Sequence, residues 1–179
     1  MLIKTIFSGF GGQGVLSMGS ALADAAMREG KYVTYLPSYG AEVRGGTANC
    51  TVSASDEEIA SPVASEPDFV VAMNQPSFVR FQSLIQAGGL ILVNSTMVDI
   101  SSARGDIEVV EVPISELAEK LGNLKVANMV MLGAFTKVSN IVSFPLLLKN
   151  LPTILGGKRA SLLKINKEAL EQGFNYVKG

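Results

Sequence analysis

The sequence predicts a single α/β domain spanning residues 1–179, three layers thick (αβα), on a mostly parallel sheet with one antiparallel strand pair. Three observations predict it. The 179 residues suit one domain, and no repeat, low-complexity tract or linker divides them. Two continuous apolar runs, Asp68 to Met73 (DFVVAM) and Gly88 to Asn94 (GGLILVN), have the composition of strands covered on both faces. Around them, short β-rich runs alternate with segments whose apolar residues recur at helical spacing.

Leu2 to Phe7 is an apolar, β-branched run that ends in glycines, so it predicts a buried first strand. From Gly14 to about Glu29 the residues Val15, Met18, Leu22, Ala25 and Ala26 mark one helix face, and Gly30 stands where a C-terminal glycine belongs. Lys31 to Leu36 reads as a strand that stops at Pro37. Thr47 to Ser55 alternates, with Ala48, Cys50, Val52 and Ala54 on one face and Thr47, Asn49, Thr51 and Ser53 on the other. That pattern predicts a half-covered strand, and the short connection before it suits an antiparallel pair. The two apolar runs are strands with a helix between them over Pro76 to Gln86, and Ile107 to Val112 is a further strand. Pro113 to Leu121 reads as a helix with proline in its first turn. Val126 to Ser139 is apolar nearly all round, which predicts a buried helix. Two more helices close the chain, near 145–151 and 160–173.

Composition narrows the chemistry. There is no histidine, which excludes a Ser-His-Asp or Cys-His nucleophile, a histidine proton shuttle and a histidine zinc site. The single cysteine, Cys50, excludes an intrachain disulfide and a cysteine zinc or iron–sulfur site held by this chain alone. On the apolar face of its strand, it reads as a small core residue. A net charge of −1 gives no reason to expect nucleic acid as a partner. Residues 125–179 nevertheless carry eight Lys or Arg against two Glu, either a docking face for an acidic partner or, more plainly, a solvated helix surface. No run reaches the ~18 apolar residues of a membrane span, and MLIKTIFSGFGG lacks the basic start of a secretory leader. The expected compartment is the cytoplasm.

Four constellations remain as candidate sites. In Gly9-Phe10-Gly11-Gly12-Gln13-Gly14, Gly9, Gly11 and Gly14 satisfy the G-x-G-x-x-G spacing between a first strand and a first helix. Glycines there bring backbone N–H groups close to an anion at the helix N-terminus. An NAD site also wants a carboxylate about 20 residues on, where this chain has Tyr35-Leu36-Pro37-Ser38, so a nucleotide diphosphate suits the loop better than NAD. A glycine turn of purely structural use stays open. Arg44, between two glycine-containing stretches of Pro37 to Gly46, is either an oxyanion fork or a salt-bridge partner. Asn94, Ser95 and Thr96 follow a strand end, where ligands of open α/β sheets collect, or form an ordinary polar turn. Ala127 to Ala134 (ANMVMLGA) suits close helix packing better than a cofactor pocket, with Asn128 reaching a nearby loop. No catalytic side chain and no metal ligand set emerges.

The strings GFGGQGV, SYGAEVRGG, EPDFVVAMNQ, GGLILVNS and ANMVMLGA, in this order and spacing, resemble the gamma subunit of the 2-oxoacid:ferredoxin oxidoreductases, most closely the 2-oxoglutarate and ketoisovalerate type. The likeness covers residues 1–140 well and the tail more loosely, and its arginine loop is worded unlike that of pyruvate members. It implies a complex that decarboxylates a 2-oxoacid, foremost 2-oxoglutarate, with coenzyme A to give acyl-CoA, carbon dioxide and reduced ferredoxin. Thiamine diphosphate and magnesium then belong to alpha and beta subunits and [4Fe-4S] clusters to beta or delta, so this chain alone carries no redox centre and is inactive. By resemblance, Gly9, Gly11, Gly12, Gln13 and Gly14 lie near a diphosphate or the catalytic subunits. Ser38 and Arg44 are nucleotide or interface contacts, and Asn94 and Ser95 further ligand contacts. A stand-alone nucleotide-binding or sensor domain and a ligand-free scaffold subunit are the rival readings, and self-association of the isolated chain is left open.

Overall fold

The computed structural model describes residues 1–39, 46–156 and 162–178. Six strands form one sheet in the order β2-β3-β1-β4-β5-β6, with β1 at Leu2–Phe10, β2 at Tyr32–Tyr39, β3 at Thr47–Ser55, β4 at Phe69–Ala72, β5 at Leu90–Asn94 and β6 at Glu108–Val112. The β1–β4, β4–β5 and β5–β6 ladders are parallel. The expected antiparallel pair exists, and β3 goes further than expected. It slots between β2 and β1 and runs antiparallel to both, so it alone points against the other five strands.

Residue parity assigns the two faces, because side chains alternate across a strand. Phe7, Val71 and Leu92 enter the larger core, shared with helices α1 (Val15–Arg28), α3 (Ile114–Lys120), α4 (Ala127–Ser139), α5 (Phe144–Ile154) and α6 (Leu163–Tyr176). Ile6, Val70, Ala72, Ile91 and Val93 face the smaller core, under helix α2 (Gln75–Gln82) and the segment carrying Val98. The two apolar runs are therefore covered on both faces, as their composition requires. The layers are unequal: five helices lie on one side and one on the other.

Several boundaries differ from the sequence reading, each for a local reason. β1 runs on to Phe10 because β3 pairs with all nine of its residues. β2 passes through Pro37 to Tyr39, since an edge strand needs no outward proline N–H. α2 ends at Gln82, four residues early, as Ser83 turns its hydroxyl onto the Arg80 carbonyl. Pro113 sits at the N-cap of α3 rather than in its first turn. A 3₁₀ turn, Leu124–Val126, precedes α4. On β3 the second face is more covered than expected, for Ser53 and Ser55 are buried too.

α4 is the buried helix its composition predicts, with Met129 to Thr136 all below the surface. Phe135 meets Phe7 edge-on at 5.2 Å and Phe69 at 5.7 Å between ring centroids. Its crossing with α6 is made by glycines. A Cβ on Gly133 would strike the Leu170 carbonyl, and one on Gly173 the Val130 carbonyl, so the two backbones touch. Cys50 is fully buried, its thiol donating to the Val15 carbonyl at 3.5 Å beneath Gly19. Burial pushes the thiol up to about 12, against hydrogen bonds with Tyr35 and the Gly19 backbone that lower it.

Two outcomes follow from this packing. Gly133→Ala destabilises the domain by about 3 kcal/mol and lowers the melting temperature by roughly 10 °C, although alanine is the better helix former; calorimetry checks it. For Cys50, the folded state keeps a proton that the unfolded thiol releases above about pH 8.5. Its stability contribution is therefore complete below that pH and drains at about 1.4 kcal/mol per pH unit up to the folded value. Urea titrations should show the stability difference between wild type and Cys50→Ala shrinking by about 2.5 kcal/mol from pH 8.5 to 10.5.

Candidate functional site

The chain leaves β1 toward the face carrying α1 and leaves β4 toward the opposite face carrying α2. Adjacent parallel strands whose exits diverge in this way open a crevice at their carboxyl ends. A cavity of about 950 Å³ lies there, reached by Phe10 from β1, Met73 after β4 and Asn94 from β5.

The floor of the cavity is the glycine loop. Gly12 (φ 96°) and Gly14 (φ 76°) take the left-handed region that glycine adopts without strain. Gly11 donates to the Gly46 carbonyl and Gln13 to the Phe10 carbonyl, at 3.0 and 3.1 Å. Among the described residues the N–H groups of Gly12 and Gly14 have no protein acceptor. α1 starts at Gly14 with no side-chain cap and no acidic residue in its first turn. α4 differs, because it continues from the 3₁₀ turn: Asn123 Oδ1 accepts from the Lys125 N–H and the Leu124 carbonyl from the Ala127 N–H, while Ala127, Asn128 and Met129 line the same cavity. Uncapped helix N-termini carry exposed donors and the positive end of the helix dipole. Among the described residues lining the cavity, Lys125 is the one charged side chain and none is a carboxylate. The rest of the polar lining is carboxamide and hydroxyl: Gln13, Asn94, Asn123, Asn128, Asn166, Ser17 and Ser115. Such a lining favours an anionic ligand with many hydrogen-bonding groups.

The structure brings together Gly11, Gly12, Gln13, Gly14 and Asn94, whereas Gly9, Ser38 and Ser95 do not line the cavity. Gly9 lies beneath the loop, where a Cβ would sit 2.7 Å from Gln13 Oε1 and 2.9 Å from Met73 Cβ. Asn94 is buried, donating to Ser115 Oγ at 3.3 Å and accepting from the Thr96 N–H. Ser95 turns instead into a shallow neighbouring depression with Gln75 and Asp99. Ser38 is exposed on the β2 edge strand, opposite Asn49, and does not reach the cavity. Arg44 lies outside the described residues. The ANMVMLGA helix divides its duties: its first residues line the cavity and Gly133 packs on α6. Asn128 does reach a loop, its side chain lying where a Cβ on Gly14 would be.

Sequence reasoning missed Asn74, Asn123, Lys125, Ser115 and Asn166. Asn74 had a readable signal, an asparagine at the end of a strand run and before Gln75-Pro76, which is an N-cap pattern; its Oδ1 accepts from the Ser77 N–H at 3.0 Å. Lys125 had none, since only the docking of α4 brings its turn to the glycine loop.

Among known proteins, a family model described as pyruvate ferredoxin/flavodoxin oxidoreductase matches residues 4–176. Ketoisovalerate oxidoreductase subunit VorA of Methanothermobacter thermautotrophicus is 46% identical over 131 residues, 73% of this chain. The match spans 27% of that relative, so this chain corresponds to about a quarter of its length. A keto/oxoacid ferredoxin oxidoreductase gamma subunit from Geobacter sulfurreducens superposes with a TM-score of 0.81 at 28% identity, covering 97% of this chain and 96% of that one. The 2-oxoglutarate:ferredoxin oxidoreductase of Magnetococcus marinus, solved with 2-oxoglutarate, coenzyme A and succinyl-CoA bound, superposes with a TM-score of 0.88 at 25% identity, over 99% of this chain and 32% of that one.

The glycine geometry makes a paired test. Gly12→Ala meets no atom within 4 Å and costs only its backbone strain, about 1–2 kcal/mol. Gly14→Ala adds the collision with Asn128, for about 3 kcal/mol in all. Combining Gly14→Ala with Asn128→Ala removes the amide collision but keeps the Asn128 Cβ at 2.9 Å, so urea unfolding should show the loss only partly recovered, still above the Gly12→Ala level.

Proposed function

Because this chain belongs to the pyruvate ferredoxin/flavodoxin oxidoreductase family, we propose that it is the gamma-type subunit of a 2-oxoacid:ferredoxin oxidoreductase and forms the part of that enzyme that holds coenzyme A. The observation that carries the reading is the cavity at the strand ends, floored by a glycine loop with free N–H groups and lined by no described carboxylate. The diphosphate of coenzyme A is the kind of anion that a glycine loop and an uncapped helix N-terminus accept. Its pantetheine amides suit a wall of asparagines, and Lys125 supplies a cation at the mouth. Arg44, on sequence alone, is a second cation for the same ligand or for a partner interface.

The redox step lies with partner subunits in this reading. Among the described residues no three of His, Cys, Asp or Glu are grouped to hold a metal ion, and no described helix is long and apolar enough to cross a membrane. Thiamine diphosphate, magnesium and [4Fe-4S] clusters belong to alpha and beta or delta chains, and ferredoxin receives the electrons through the assembled complex. The substrate is a larger 2-oxoacid, 2-oxoglutarate first and ketoisovalerate second. This order follows the wording of the motifs alone; the likeness to the ketoisovalerate and 2-oxoglutarate enzymes supports both substrates and does not rank 2-oxoglutarate first.

The test is a complex reconstituted with its partner subunits and assayed by dye reduction on a panel of 2-oxoacids. Turnover should require coenzyme A and the full complex, with 2-oxoglutarate or ketoisovalerate ahead of pyruvate; turnover by the isolated chain overturns the reading. Lys125→Ala should raise KM for coenzyme A about fivefold at unchanged kcat.

A further inference from the structure

We propose that Gln13 and Asn74 are positioning residues whose paired side-chain amides hold the glycine loop in the shape that turns the Gly12 and Gly14 N–H groups toward the ligand. The inference rests on the coenzyme A reading above and adds to it the residues that set the geometry of the site.

The bonds form a closed chain. Gln13 Oε1 accepts from the Phe10 N–H at 2.7 Å, while the Gln13 N–H donates to the Phe10 carbonyl at 3.1 Å. Residues 10 and 13 thus exchange two hydrogen bonds and fix the loop between them. The same Oε1 accepts from Asn74 Nδ2 at 3.0 Å, and Gln13 Nε2 donates to the Met73 carbonyl at 3.3 Å. Asn74 is 1% exposed, and its other end caps α2 through the Ser77 N–H. One pair of carboxamides therefore ties the loop after β1 to the loop after β4, the two segments that leave for opposite faces. Both Gln13 atoms are committed to protein partners, so the side chain shapes the site rather than reading the ligand.

This also gives the first glycine of the motif its purpose. A Cβ on Gly9 would occupy the space of Gln13 Oε1. Gly9 admits the amide, and the amide holds the loop.

Two variants separate positioning from folding. Asn74→Ser keeps an N-cap oxygen for Ser77 but is too short to reach Gln13; Gln13→Met keeps the length and removes all four side-chain bonds, the one to Met97 Sδ at 3.6 Å included. In the reconstituted complex each should raise KM for coenzyme A about tenfold, with kcat and KM for the 2-oxoacid within about twofold of wild type. Asn74→Ser should melt within about 3 °C of wild type. Coenzyme A KM values unchanged in both variants overturn the assignment. So does a loss of kcat and of affinity for both substrates that tracks a lowered melting temperature. A wild-type complex whose rate does not respond to coenzyme A sinks the reading beneath the assignment, and the assignment with it.

Discussion

The divergence of the chain after β1 and β4 is the constraint on which the rest of the site depends. Two adjacent parallel strands send their continuations to opposite faces, so nothing in the sheet itself can close the space between them. Gln13 reaches across that space to Met73 and Asn74, and in doing so fixes the edge of a cavity rather than filling it. The antiparallel insertion of β3 serves the same end. It braces β1 along its whole length, so that the glycine loop leaves a strand held on both sides.

The far wall of the cavity is set by helix packing at a distance. α4 brings Asn128 and the turn carrying Lys125 to the glycine loop, and α4 is itself located by its crossing with α6. That crossing depends on Gly133 and Gly173, whose missing side chains let carbonyl oxygens of the opposite helix approach the backbone. Close packing transmits such details, because a core at crystal density cannot absorb an added methyl group without moving something. Residues remote from the cavity thereby decide where the cavity-facing ones stand.

Electrostatics accounts for the place of a chain without histidine in the proposed enzyme. The cavity offers backbone donors, carboxamides and one lysine among its described residues, a set suited to holding an anion and to moving no proton. Cys50, the chain's single sulfhydryl, is locked neutral in the core by burial. The chemistry is divided by residue type, with binding here and electron transfer on partner chains that own the cofactors in the proposed complex.

What the sequence by itself determined are the features enforced by a residue's own covalent geometry. The glycines at 12 and 14 are needed for positive φ, the unbroken apolar runs of β4 and β5 for a doubly covered strand, and the alternation of β3 for its faces, and all were legible. Pro37 misled because its effect depends on whether the strand is an edge, a property of the sheet and not of proline. Only the tertiary structure decided that Ser38 stands away from the cavity, that Lys125 stands at it, and that Gln13 meets Asn74 from 61 residues away. The reason is physical: backbone preferences are local and stay written in the residue type. Which amide meets which carbonyl is a consequence of how strands and helices far apart in the chain settle against each other.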